Sequence, residues 1–308
     1  MPTPRPYAAE LPLAAYRAAV ALDEPFRPTA APAPADRLAD HVRAALGLLS
    51  SDVTPHLRDA DHATARQVLR ALLTVRAPGP LPGGATAELD SLLGGERIAR
   101  ATVDGRQLPT IKAMLPDTLY PVADRTVLWQ GDITTLAADA IVNAANSALM
   151  GCFVPRHPCI DNAIHDAAGP RLRDDCHLIM SRQNAPEHTG TAKITRGYHL
   201  PARYVLHTVG PFVEGVVHPS HEHALASAYR SCLDLAAEVD TIRTLAFCAV
   251  STGLFGFPKA SAARIALRTV AEWMSAHPGR LDRVIFTVFS EDDQDIYRTV
   301  LGGCGIRR

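Results

Sequence analysis

The chain has 308 residues, 47% of them apolar, and a formal net charge of −1. That length suits two domains or one large one able to bury a full core, and the charge balance offers no overall basic field to attract nucleic acid or a membrane surface. No apolar run approaches the roughly 18 residues that span a bilayer. Six cysteines (Cys152, Cys159, Cys176, Cys232, Cys248 and Cys304) do not form a disulfide framework in a chain this long, so the expected setting is the reducing cytoplasm.

Residues 1–120 read as a helical N-terminal extension. Apolar residues recur at three- and four-residue spacing over 11–22, 36–49, 62–75 and 86–98, the helical period. In the second stretch Leu38, Val42, Ala45, Leu46 and Leu49 fall on one face. The Ala-rich stretch 11–22 lacks the basic-then-apolar order of a signal peptide, so a helix is expected there too. Pro- and Ala-rich segments at 25–34 and 78–84 separate these elements. Nothing here gathers His, Cys or carboxylates; the expected role is a cap on the main domain, with a partner-docking surface as the other reading. Residues 101–125 read as an irregular connection.

Over residues 121–308 the pattern becomes strands alternating with helices. Short β-rich runs lie at 126–129, 140–142, 204–209, 245–250 and 284–289, with a further one at 192–195. Helical stretches occupy 161–180, 221–239, 259–276 and 292–301. Such alternation predicts an α/β fold with a sheet covered on both faces, in which ligands sit beyond the carboxyl ends of the strands.

The most informative stretch follows the second strand: Met150-Gly151-Cys152-Phe153-Val154-Pro155-Arg156-His157-Pro158-Cys159-Ile160-Asp161-Asn162. Two prolines disfavour a helix through it, and a loop can fold Cys152, His157 and Cys159 onto one point. Thiolate and imidazole are preferred zinc ligands, and three protein ligands leave a coordination position open for chemistry. Against this stand cysteine's commonness as a small buried residue and the option of a distant fourth ligand, which would make the site structural. Asp161 is placed to cap the helix that starts there and to face whatever the metal binds; His165, one turn on, reads as a helix-surface residue.

Other strand ends carry weaker signals. Gln130-Gly131-Asp132-Ile133-Thr134 permits a tight turn with Asp132 or Thr134 as a cap, and Asn143-Ala144-Ala145-Asn146-Ser147 offers carboxamides to a turn or a sugar hydroxyl. Ser251-Thr252-Gly253-Leu254-Phe255-Gly256-Phe257-Pro258 is a glycine-bearing turn into a helix N-terminus, either a plain turn or an anion site fit for a diphosphate. Phe289, at the end of the last strand, is a core aromatic or a ring for stacking a base.

Taken together, these segments resemble the macrodomain family. The marks are Gln130–Thr134, Ala140–Ser147, Asp161–Gly169, Tyr204–Pro211 and Ser251–Gly256, in order. Where many macrodomains carry Gly-Gly-Val-Asp-Gly, this chain has Pro158-Cys159-Ile160-Asp161-Asn162 with Cys152 and His157 ahead of it, which is similar to the zinc-containing subfamily of protein-ADP-ribose hydrolases that also carry a helical extension. The resemblance implies a three-layer α/β/α macrodomain with a mixed central sheet. It implies zinc held by Cys152, His157 and Cys159. Adenine would meet Asp132, Ile133 and Phe289, and the diphosphate Ser251, Thr252, Gly253, Leu254 and Phe255. The distal ribose would be surrounded by Asn146, Cys159, Ile160, Asp161 and Asn162, with Asp161 and Asn146 catalytic. The implied substrate is mono-ADP-ribosylated protein, with a lipoyl-carrier protein among the candidates. A reader that binds ADP-ribose without cleaving it, and a hydrolase of a free ADP-ribose derivative, are the alternative readings.

Overall fold

The computed structural model describes residues 11–50 and 60–303; Cys304 lies outside them. The extension contributes α1 (Leu38–Leu49), α2 (His62–Val75) and α3 (Ala85–Ala99). Val42, Ala45 and Leu46 of α1 meet Ala65 and Leu69 of α2 and Leu89 and Leu92 of α3 in a small core of their own. Gly95 lies mid-helix in α3, where it costs helix propensity, because a Cβ there would sit 2.3 Å from the carbonyl of Ala33, in the linker that crosses the helix. The expected helix over 11–22 does not form. Leu13–Ala15 makes one 3-10 turn, and the backbone then mixes three-, four- and five-residue bonds, with Ala21 at φ +47°. Docking is the reason: Leu13, Tyr16, Val20 and Leu22 are buried in the main core, and the Tyr16 hydroxyl accepts from Ile194 N at 3.1 Å. These contacts outweigh a propensity worth only tenths of a kcal/mol per residue.

The connection after α3 is mostly irregular. It holds a two-residue strand, β1 (Val103–Asp104), paired with β3 (Leu136–Ala137), and one short helix, α4 (Ile111–Met114).

The main sheet is built from β2 (Thr126–Gln130), β4 (Ala140–Ala144), β5 (Ala192–Arg196), β6 (Tyr204–Thr208), β7 (Thr244–Phe247) and β8 (Arg283–Val288), in spatial order β2-β8-β7-β4-β6-β5. All neighbours are parallel except β5, which runs antiparallel to β6. α7 (Pro219–Ala237), α8 (Lys259–Ala276) and α9 (Glu291–Gly302) pack in one layer. α5 (Ile160–Ala168) and α6 (Pro170–Gln183) form the other, against the extension. The single helix expected over 161–180 is two, because Gly169 at φ +89° turns the chain and Pro170 opens α6, where its missing N–H does no harm. This is a three-layer α/β/α fold with a mixed sheet.

Two polar hubs bolt the extension to this fold. Buried Asp90 accepts from Thr29 N, Arg171 Nη1 and His199 Nε2 at 2.6, 2.6 and 2.9 Å. Burial opposes its charge, yet the bonds from His199, Arg171 and Thr29 hold the carboxyl well below the usual range. Arg66 of α2 joins Glu96 of α3 (2.6 Å) and Asp166 of α5 (3.3 Å).

Candidate functional site

The carboxyl ends of β2, β4, β6, β7 and β8 lie on one side of the sheet, and the loops leaving them carry the residues singled out above. The loop from β4 to α5 closes on itself. Gly151, Phe153 and Arg156 adopt positive φ of +88°, +55° and +63°, and the curl brings Cys152 Sγ to 3.3 Å from His157 Nδ1. With Cys159 Sγ, the donor atoms lie within 4.8 Å of one another and are half-buried; among the described residues no fourth His, Cys, Asp or Glu joins them. Asn162 locks this shape, its Nδ2 donating to Val154 O (2.9 Å) and His157 O (3.1 Å).

Asp161 does not cap α5. The helix begins at Ile160 and its cap is Cys159, whose sulfur accepts from Asn162 N at 3.4 Å. Asp161 instead turns inward, 5% exposed, and accepts from Asn143 Nδ2 at 2.8 Å. Burial raises its carboxyl to about 6. Nor is His165 a surface residue: it is buried, with Nε2 3.5 Å from Asp161 Oδ1.

Behind Asp161 lies a second thiol–imidazole trio, His165, Cys176 and His207, whose ligand atoms also fall within 4.8 Å. Its hydrogen bonds assign a different role. Asn143 Nδ2 faces His207 Nδ1 at 3.2 Å, so Nδ1 is the acceptor and the ring proton sits on Nε2, which donates to Thr195 Oγ1 at 3.0 Å. A nitrogen carrying a proton offers no lone pair to a metal. Burial drives His207 down to about 3, drives His165 well below its ordinary value and lifts the Cys176 thiol well above its own. His207 is thus a neutral, proton-ordered link of the core, while the buried Nε2 of His165 has no hydrogen-bond partner. Burial likewise pushes the Cys159 thiol up to about 11, but the outer loop is reachable from solvent and a cation there would displace its protons.

At the other loops, Asp132 caps the short 3-10 turn Ile133–Thr135 through Thr134 N (2.9 Å) and is otherwise exposed, while Ile133 is buried. Asn146 donates from Nδ2 to Gly151 O at 2.9 Å and accepts from Ala148 N, bracing the sulfur-bearing loop. Ile160 is half-buried at the start of α5. In the 251–256 turn, Ser251 sits at φ +65° with its buried hydroxyl unpartnered, Thr252 donates to Ala249 O, and Phe255 O accepts from Val213 N at 2.8 Å. Gly253 faces open space and Leu254 is 74% exposed. Pro258 stands one residue ahead of α8 as its cap. Phe289 is 80% exposed, a projecting ring and not a core aromatic. A cavity of about 490 Å³ lined by Phe26, Arg27, Arg171, Arg196 and Tyr198 lies at the opposite ends of the strands and holds no thiol or imidazole.

Sequence reasoning offered Asn143 to a turn or a sugar hydroxyl and set His165 on the helix surface, and it gave His207 no role; none was read as a buried neighbour of Asp161. A signal existed: Asn143 and His207 are polar residues inside fully buried strands, paired across β4 and β6.

Residues 142–266 match the Macro domain family. A protein-ADP-ribose hydrolase of Staphylococcus aureus (strain MRSA252) is 42% identical over 233 residues, covering 75% of this chain and 83% of that protein. The chain belongs to the macrodomain family. A second protein-ADP-ribose hydrolase, from Treponema medium, is 49% identical over 174 residues, 56% of this macrodomain chain and 66% of its relative. Among solved structures, the Trypanosoma brucei macrodomain in complex with ADP-ribose aligns with a TM-score of 0.57 at 33% identity, covering 75% of this chain and 94% of that one. In this macrodomain the sulfur–nitrogen loop leaves the carboxyl end of β4 on the same side of the sheet as the 251–256 turn after β7.

Proposed function

We propose that this macrodomain is a zinc-dependent hydrolase that releases ADP-ribose from modified protein side chains. The observation that carries the reading is the meeting of Cys152 Sγ, His157 Nδ1 and Cys159 Sγ at the start of α5, with no fourth described ligand. The relatives named protein-ADP-ribose hydrolase supply the substrate class. Two sulfurs and one nitrogen suit zinc, and the half-exposed mouth suits an open coordination position. Bound there, the ion supplies a Lewis-acid contact for a sugar hydroxyl or a water.

The chain's own residues do the rest. Asp132 and the projecting Phe289 ring take the adenine end. The 251–255 turn offers backbone amides and the unpartnered Ser251 hydroxyl to the diphosphate, and Gly253 leaves room for close approach. Asn146, Ile160 and Asn162 border the distal ribose. Cleavage of the bond at the anomeric carbon builds positive charge on that ring. Asp161, beneath the helix start and fixed by Asn143, stabilises this charge from behind. The five described thiols are free, which supports a reducing cytoplasmic setting; no helix among the described residues is long and apolar enough to cross a membrane. A lipoyl-carrier protein stays among the candidate substrates that the subfamily resemblance implies.

The test is release of ADP-ribose from proteins modified at serine, aspartate or glutamate, with and without a chelator. The reading expects release that the chelator abolishes and added zinc restores. Release indifferent to the chelator removes zinc from the reaction.

A further inference from the structure

Arg173, in the first turns of α6, is 4% exposed, yet among the described residues it forms no ion pair. A guanidinium cannot shed its proton, so burial demands other partners. It has three carbonyls: Nη1 donates to Leu73 O at 2.8 Å and Arg76 O at 2.6 Å, and Nε donates to Met150 O at 2.7 Å. Leu73 and Arg76 close α2, where the last carbonyls lack intrahelical donors and carry the negative end of the helix dipole. The guanidinium also stacks on Phe153, with Cζ 4.4 Å from the ring centroid. Met150 and Phe153 bracket Gly151 and Cys152. A Cβ on Gly151 would sit 3.1 Å from Arg173 Nη2 and 3.4 Å from the His165 ring, so a side chain there would crowd the guanidinium, and the φ of +88° favours glycine in any case. Phe153 holds φ +55°, a region side chains disfavour and keep only when their surroundings impose it.

We propose that Arg173 is a positioning residue that fastens backbone 150–153 to the end of α2, fixing where Cys152 points and making the helical extension a working part of the site. The inference rests on the reading of the loop as a cation site. It explains why an extension without catalytic side chains is bolted so firmly to α5 and α6: the C-terminus of α2 is the wall against which the loop is set.

The experiment uses the full chain and the variants R173M, R173K and F153L. Two quantities are read: hydrogen–deuterium exchange at 150–154 and 74–77 in chelator-treated protein, and Co²⁺ affinity from its sulfur charge-transfer and d–d bands. R173M is expected to speed exchange in both segments and weaken Co²⁺ at least about tenfold, the range for losing an outer partner of a metal site. R173K is expected to recover part of both, and F153L to shift both more weakly in the same direction. Wild-type exchange at 150–154, or wild-type Co²⁺ affinity, in R173M overturns the proposal. If R173M does not fold, wild-type exchange in both R173K and F153L overturns it. Wild-type protein that binds no Co²⁺ sinks the cation reading, and the exchange measurement still decides the role of Arg173.

Discussion

The loop of Cys152, His157 and Cys159 and the core of His165, Cys176 and His207 hold the same side-chain types, each trio within 4.8 Å, on either side of Asp161. The loop is half-exposed, and its donors, apart from the Cys159 helix cap, are engaged mainly with one another. The core is buried and every proton in its Asn143–His207–Thr195 chain has an assigned place. The trios differ in access and in His207: the loop faces solvent, whereas the core is closed and both nitrogens of His207 are already engaged.

The largest effect should come from the loop. Cys159→Ser is expected to empty the protein of zinc by elemental analysis and to cut ADP-ribose release about 1000-fold, the upper range for losing an electrostatic contact to a reacting group. Cys176→Ala, the matching change in the core, should leave zinc content at the wild-type level. Loss of zinc from that variant would erase the distinction between the trios. Between them, Asp161→Asn keeps the bond to Asn143 in altered form but removes the charge. Its turnover should fall about 100-fold while ADP-ribose binding, read by calorimetry, stays near wild type.

In the core itself, His207→Ala removes one hydrogen-bond partner each from Asn143 Nδ2 and Thr195 Oγ1, which keep only Asp161 and Arg196 O, and opens a cavity between β4 and β6. A loss of about 2–3 kcal/mol in urea unfolding is expected, with zinc retained. The same histidine sets a pH dependence. Native His207 stays neutral down to about 3, whereas the unfolded chain takes up that proton near pH 6.5. The unfolded state thus binds more protons between these values, and stability should fall as pH drops from about 6.5 toward 3. His165, lowered well below its ordinary value by burial, adds in the same direction. Asp161, raised to about 6 by burial, works in the opposite direction, so the histidine's share is read as the difference between wild type and His207→Ala; a difference that does not change with pH across that window contradicts the neutral core. The smallest effect is expected just after β8, where Phe289→Ala should weaken ADP-ribose binding about fivefold, the low end for base–aromatic stacking.

Much of this arrangement was readable in the sequence. Strand and helix positions followed from periodicity, and the spacing of Cys152, His157 and Cys159 in a Pro-broken loop pointed to their convergence. What escaped depended on tertiary contacts. Residues 11–22 have helical spacing but unwind to bury Tyr16 against β5. The cap of α5 moved from Asp161 to Cys159 because a sulfur at the loop's end reaches Asn162 N, and that shift sends the carboxylate inward. Arg173 gave no local sign of its task, since its partners are main-chain carbonyls about 20 to 100 residues away.

X-ray absorption at the zinc edge of the purified protein tests the central claim most directly. The account predicts about one zinc per chain with two sulfur neighbours near ~2.3 Å, one imidazole nitrogen near ~2.0 Å and a remaining light donor from solvent. A zinc-free protein, or an ion enclosed by four protein ligands, contradicts it.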